Sequence, residues 1–181
     1  MRRRVSMAVA TLLLAAGVAS AADRKDLQVL NDISTSVNRY TQFTVFDDIN
    51  ASVSDGVVTL TGKVTMPYKR DDIEKRVAKI DGVRELHDEI TVLPVSQFDA
   101  QLRARIARSI YSNPSFWNYA AMVNPPIHII VENSRVTLTG VVQSNVDRML
   151  ARSLATQFGA LSVTNDLKTD DEVRALLEKS E

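Results

Sequence analysis

Asp55-Gly-Val-Val-Thr-Leu-Thr-Gly-Lys-Val64 returns 78 positions later as Asn133-Ser-Arg-Val-Thr-Leu-Thr-Gly-Val-Val142. Five consecutive residues are identical, Val58 to Gly62 against Val136 to Gly140. Each stretch sets a turn dipeptide before a β-branched run, and in the second copy Ile127-His-Ile-Ile-Val-Glu132 supplies the opposing run. Asp-Gly between such runs is the strongest short-range hairpin signal, because both turn positions need positive φ. Ser134 replaces that glycine in the second copy, so a different turn type is expected there.

The likeness extends both ways from the hairpin. Downstream, Ile80-Asp-Gly82 matches Gln157-Phe-Gly159 with one residue dropped, and Leu86-His-Asp-Glu-Ile90 matches Val163-Thr-Asn-Asp-Leu167. Upstream, Ile33 and Val37 correspond to Ile106 and Ile110 on a helix in each copy, with about five extra residues before the first strand of the second. Leu102, Ile106 and Ile110 make one apolar face of a helix over Asp99–Tyr111. Ser96 is placed to cap it, and Thr169-Asp-Asp-Glu172 repeats a capping box before a short C-terminal helix carrying Val173, Leu176 and Leu177. Second helices are expected from Pro67 to Ile80 and from Asn145 to Phe158, opened by proline in the first case and stopped by Gly82 and Gly159. Closing strands are expected over Glu85–Leu93 and Leu161–Lys168, with Val-Thr-Leu-Thr-Gly read as a strand end. Two copies are too few for a solenoid.

The predicted fold class is therefore α+β: two tandem αββαβ modules, each a three-stranded mixed sheet packed by two helices. The strand–helix–strand step should cross over right-handed, making the last two strands parallel. The expected division is residues 1–21, 22–94, 95–168 and a tail from 169 to 181, with Pro94, Val95 and Ser96 as the link.

Residues 1–21 carry Arg2-Arg3-Arg4, an apolar stretch from Met7 to Val18, and Ala19-Ser20-Ala21. That layout is a secretory signal peptide, with an apolar core shorter than the roughly 20 residues a bilayer span needs. The expected destination is the periplasm. No cysteine is present, which excludes disulfides, thiolate catalysis, cysteine-ligated metals and a lipid-modified cysteine anchor.

The paired strand–turn–strand segments, each followed by a helix, a glycine and a closing strand, resemble the BON domain (bacterial OsmY and nodulation). The resemblance covers nearly all of the chain after residue 21. It implies an envelope setting, phospholipid or membrane-surface binding in some members, and roles in osmotic stress and envelope integrity. Dual-domain relatives that are lipoproteins carry an acylated cysteine, which is absent here.

An enzyme is not expected. His128 should point away from its neighbours Ile127 and Ile129 on a strand, and no base, nucleophile or metal-spaced partner accompanies it. His87 and Glu89 share a strand face that Asp88 does not, so the three cannot converge on a metal. Asp47-Asp48 and Asp71-Asp72 read as loop and helix-start charges. No phosphate loop or nucleophile elbow occurs, and no cofactor is expected.

Charge and aromatics are uneven. Residues 22–94 hold 10 basic and 13 acidic side chains (net −3), whereas 95–168 hold 7 and 4 (net +3). Arg103, Arg105 and Arg108 lie close in sequence to Phe116, Trp117 and Tyr119. Arginines beside amphipathic rings suit an anionic phospholipid surface, so these six are the candidate contact residues. The alternative is a solvated helix face with aromatics that pack the longer loop; Phe98 and Tyr111 are assigned to the core. A second functional alternative is an envelope adaptor whose sheet face or edge docks a protein by strand addition. Nothing in the charge points to nucleic acid.

Overall fold

The computed structural model describes residues 26–178. The proposed signal peptide lies outside them. Module one comprises α1 (Asp26–Asn38), β1 (Asp48–Ser54), β2 (Val57–Val64), α2 (Pro67–Val77) and β3 (Glu85–Val92). Module two repeats the order in α3 (Gln97–Tyr111), β4 (Ile127–Glu132), β5 (Arg135–Val142), α5 (Asn145–Ala155) and a third strand in two pieces, β6 (Ser162–Asn165) and β7 (Lys168–Thr169). A 3₁₀ turn (Pro114–Phe116) and a one-turn helix α4 (Trp117–Ala120) occupy the extra residues before β4, and α6 (Asp170–Glu178) ends the described chain.

Both sheets have the expected mixed topology: β1–β2 and β4–β5 are antiparallel, and β2–β3 and β5–β6 are parallel. The broken third strand keeps one register, since Leu138 opposes Asn165 and Val141 opposes Lys168, the same 27-residue offset. The inward residues of each sheet meet the helices in two separate cores. Val29, Ile33, Val58, Leu60, Ile73 and Val77 are fully or almost fully buried in the first, and Leu102, Ile106, Ile110, Ile127, Val136 and Leu138 in the second. Each such aliphatic side chain contributes about 1.5–3 kcal/mol on burial.

The two hairpin turns are of one kind, correcting the expectation from Ser134. Asp55 and Gly56 have φ of 49° and 73°, and Asn133 and Ser134 have 51° and 62°. A helix-borne carboxylate holds each turn. Asp26 of α1 accepts from the Asp55 and Gly56 N–H groups, and Asp99 of α3 accepts from those of Asn133 and Ser134 at 2.9 Å each. Charge-assisted bonds to both N–H groups stabilise the positive-φ turn without glycine.

Val-Thr-Leu-Thr-Gly does not end its strand, because β2 and β5 run on to Val64 and Val142. The glycine answers a close approach instead. At φ +127° and +111°, a Cβ on Gly62 would lie 2.1 Å from the Asp48 carbonyl oxygen, and on Gly140 1.8 Å from that of Pro126. The second helices stop earlier than expected, at Val77 and Ala155; Gly159 (φ 76°) then caps a 3₁₀ turn. Both serine and threonine caps form: Ser96 Oγ accepts from Asp99 N–H, and Thr169 and Glu172 bond reciprocally.

The modules are docked, not strung out. The segment Phe43–Asp47, just before β1, lies along the outer edge of β4: Ile129 N–H donates to the Val45 carbonyl at 2.7 Å. Phe46 packs against the core of module two, and Phe43 stacks on His128 with ring centroids 5.3 Å apart. Lys63 of β2 pairs with Glu132 of β4. This strap covers an edge that would otherwise present unpaired backbone groups.

Candidate functional site

Three segments carry the predicted contact residues, and the structure divides them. Helix periodicity turns Leu102, Ile106 and Ile110 to the core and sets Arg105 and Arg108 on the exposed side. Arg103 falls on the flank of α3 toward module one, where it is only 8% exposed, with Asp99 and Asp47 as countercharges. It therefore does not belong to an outer surface. Phe116 is fully buried in the core of module two, because Asn113 caps a 3₁₀ turn that swings the ring inward. Tyr119 is buried too. Its hydroxyl donates to Asp147 Oδ2 at 2.9 Å and accepts from Gln143 N–H, and burial pushes its pKa up to about 12. Trp117 alone of the three aromatics stands out, 71% exposed. Phe98, assigned to the core from sequence, is half exposed instead, whereas Tyr111 packs on the core and donates to the Ile127 carbonyl.

Residues not singled out from sequence complete this surface. The Tyr119–Asp147 bond brings α4, and with it Trp117, beside the first turn of α5. Val146 and Met149, one turn apart there, are 71% and 67% exposed, and Arg152 follows on the exposed side. α3 and α5 pack side by side over one face of the sheet. Their outer side thus carries Trp117, Val146 and Met149 with Arg105, Arg108 and Arg152. The exposed apolar pair on α5 was legible as an i, i+3 spacing, but nothing in the sequence said which face of α5 would be outward.

The opposite side of module two and the outer face of module one enclose a cleft of about 1360 Å³. His128 lies at its margin as expected, opposite Ile127 and Ile129, but under Phe43. Burial pulls its pKa below the ordinary 6.5, against Asp48 and the carbonyls of Asp47 and Thr44. His87 is exposed beside Glu85 on the free face of β3. Among the described residues no group of three or more His, Asp or Glu side chains is placed to hold a metal.

Asp47 is not the loop charge expected from sequence. It is fully buried and accepts from Thr44 N–H and Oγ1, Thr65 N–H and Oγ1, and Lys69 Nζ at 2.6–2.9 Å. Burial alone would raise its pKa; the bonds from Lys69, Thr44 and Thr65 outweigh that and hold the carboxyl below its usual range. Asp47 thus fixes the base of the strap that docks on β4.

Two αββαβ units in series, each with its own core and a carboxylate under the hairpin turn that the repeat shares, define a tandem of small α+β modules. The chain belongs to the BON domain family, which matches residues 28–94 and 98–171. Among solved structures it is similar to the C-terminal domain of CdsD, a structural protein of the type III secretion system of Chlamydia trachomatis. The identity is 13% and the TM-score 0.34, over 80% of this chain and 66% of that one. A second CdsD structure aligns at 11% identity and TM-score 0.30, over 85% of this chain and 99% of that one. No curated protein matches the sequence. Among the described residues, no helix is long and apolar enough to cross a membrane.

Proposed function

We propose that this is an exported, periplasmic, non-enzymatic protein that binds anionic phospholipid surfaces through the helical side of module two, in support of envelope integrity or osmotic tolerance. The observation that carries the reading is that Trp117, Val146 and Met149 are exposed on the helical side of module two, where Arg105, Arg108 and Arg152 are exposed as well. An indole settles at headgroup depth, and each arginine near anionic lipid contributes about 1 kcal/mol. Module two, at net +3, has the sign that this partner requires. Three arginines give about 3 kcal/mol before screening, so binding is reversible and salt-sensitive.

Trp117 is the only tryptophan, so its emission reports the contact directly. On titration with phosphatidylglycerol vesicles the emission should shift to the blue, and the shift should fade in high salt and be absent with phosphatidylcholine vesicles. Arg105→Glu with Arg108→Glu should weaken co-sedimentation about 30-fold or more, since two attractions of about 1 kcal/mol are lost and replaced by repulsion. Arg135→Glu, on the other side of the sheet, should change it little. Equal binding by all variants would remove this surface from the reading.

A further inference from the structure

Each module has a groove between its first helix and the outer edge of its first strand, and among the described residues only that of module two is filled. The repeat aligns Ile33 with Ile106, Val37 with Ile110, Ile49 with Ile127 and Ala51 with Ile129. The strand pairings agree, since Ile49 opposes Gly62 as Ile127 opposes Gly140. In module two the strap lies on this groove: Val45 supplies a carbonyl to the Ile129 N–H, Phe46 packs on the core, and Ile127 and Ile129 are fully buried. In module one Leu30, Ile33, Val37, Ile49 and Ala51 line the first-module side of the 1360 Å³ cleft, across from His128 and Ile130 of module two. Ile49 and Ala51 remain partly exposed, and among the described residues no backbone group outside β2 pairs with β1. At the helix position where module two has Arg103, module one has Leu30.

We propose that the α1–β1 groove of module one receives an extended, apolar segment of a partner protein, which adds to β1 as the strap adds to β4. The strap defines the chemistry of the occupant: a residue whose carbonyl accepts from the Ala51 N–H, followed by an aromatic or large aliphatic side chain that packs on the first core. Backbone bonds to the edge give affinity and the groove selects the side chain. This site is on a different module from the lipid surface, so either reading stands without the other.

The chain's own strap supplies the probe, a synthetic peptide of residues 41–48 (Thr-Gln-Phe-Thr-Val-Phe-Asp-Asp). Added to the intact chain from residue 22 onward, it should shift the amide resonances of Ala51 and Ile33. Ala51→Pro removes the outward N–H on an edge strand, where proline is tolerated, and should weaken binding at least tenfold. Leu30→Asp, which sets a carboxylate in the groove against the acidic end of the peptide, should weaken it as well and guards against a folding defect in the first variant. A peptide with both phenylalanines changed to alanine should not bind. Shifts confined to Ile129, or binding indifferent to both variants, would mean that the peptide only displaces the strap and would overturn the proposal. Concentration-dependent dimerisation that protects Ala51 without any added peptide would overturn it too, by assigning the groove to a second copy.

Discussion

Asp47→Ala should lower the unfolding free energy of the protein by about 3–5 kcal/mol, read as a fall in the urea midpoint, because it leaves Lys69 buried without its counter-ion. The lysine side chain is only 6% exposed, and its Nζ has Thr65 Oγ1 as its other partner. The same change frees the Thr44 and Thr65 N–H groups, so the base of the strap loosens with the pair. The acid dependence has two stages. A depressed histidine favours the docked form above its free value: docking is full above about 6.5 and weakens as pH falls below it, because the undocked imidazole takes the proton more readily. Asp47, also depressed, contributes fully above 3.8, and its contribution is lost as pH falls from there through its folded value. Asp47→Ala should therefore erase the second stage and leave the first. An unchanged urea midpoint would remove Asp47 from its role.

Phe116→Ala should cost about 3–5 kcal/mol, as a fully buried aromatic truncated in a packed core leaves a cavity that closes only in part. Trp117→Ala, one residue on, should change stability by no more than about 0.5 kcal/mol, as expected for a surface position. The vesicle assay should order the pair the other way. Trp117→Ala weakens lipid binding while folding stays intact, and Phe116→Ala, at a temperature where it is still folded, binds as the parent does. Thermal unfolding followed by circular dichroism, paired with vesicle flotation, checks both. Equal destabilisation by the two substitutions would contradict the placement of the two rings.

Much of the fold was legible because its signals are local. The turn dipeptides and the caps at Ser96 and Thr169 act within a few residues, the 78-residue repeat doubles them, and the strand order follows; the helix ends assigned to Gly82 and Gly159 fall earlier, at Val77 and Ala155. The turn at Ser134 was not, since the group that holds it, Asp99, is 35 residues away in sequence. Arg103 shows the same limit. Spacing placed it with Arg105 and Arg108 as a basic cluster, but 100° per residue separates their faces, and the flank occupied by Arg103 is covered by the other module. Phe116 and Trp117 are neighbours in sequence with opposite fates because one 3₁₀ turn, fixed by Asn113, decides which ring enters the core. Asp47 looked like an ordinary loop acid; its partners Thr65 and Lys69 come from the far side of the hairpin and from α2.

What joins these observations is that module one completes module two, while among the described residues nothing fills its own matching groove. Amide hydrogen exchange at two homologous positions tests this within one molecule. The Ile129 N–H, held by the Val45 carbonyl, should exchange about tenfold or more slowly than the Ala51 N–H, its counterpart on β1, and Phe46→Ala should bring Ile129 toward the faster rate. Equal exchange at Ile129 and Ala51 in the parent protein would contradict the docked arrangement.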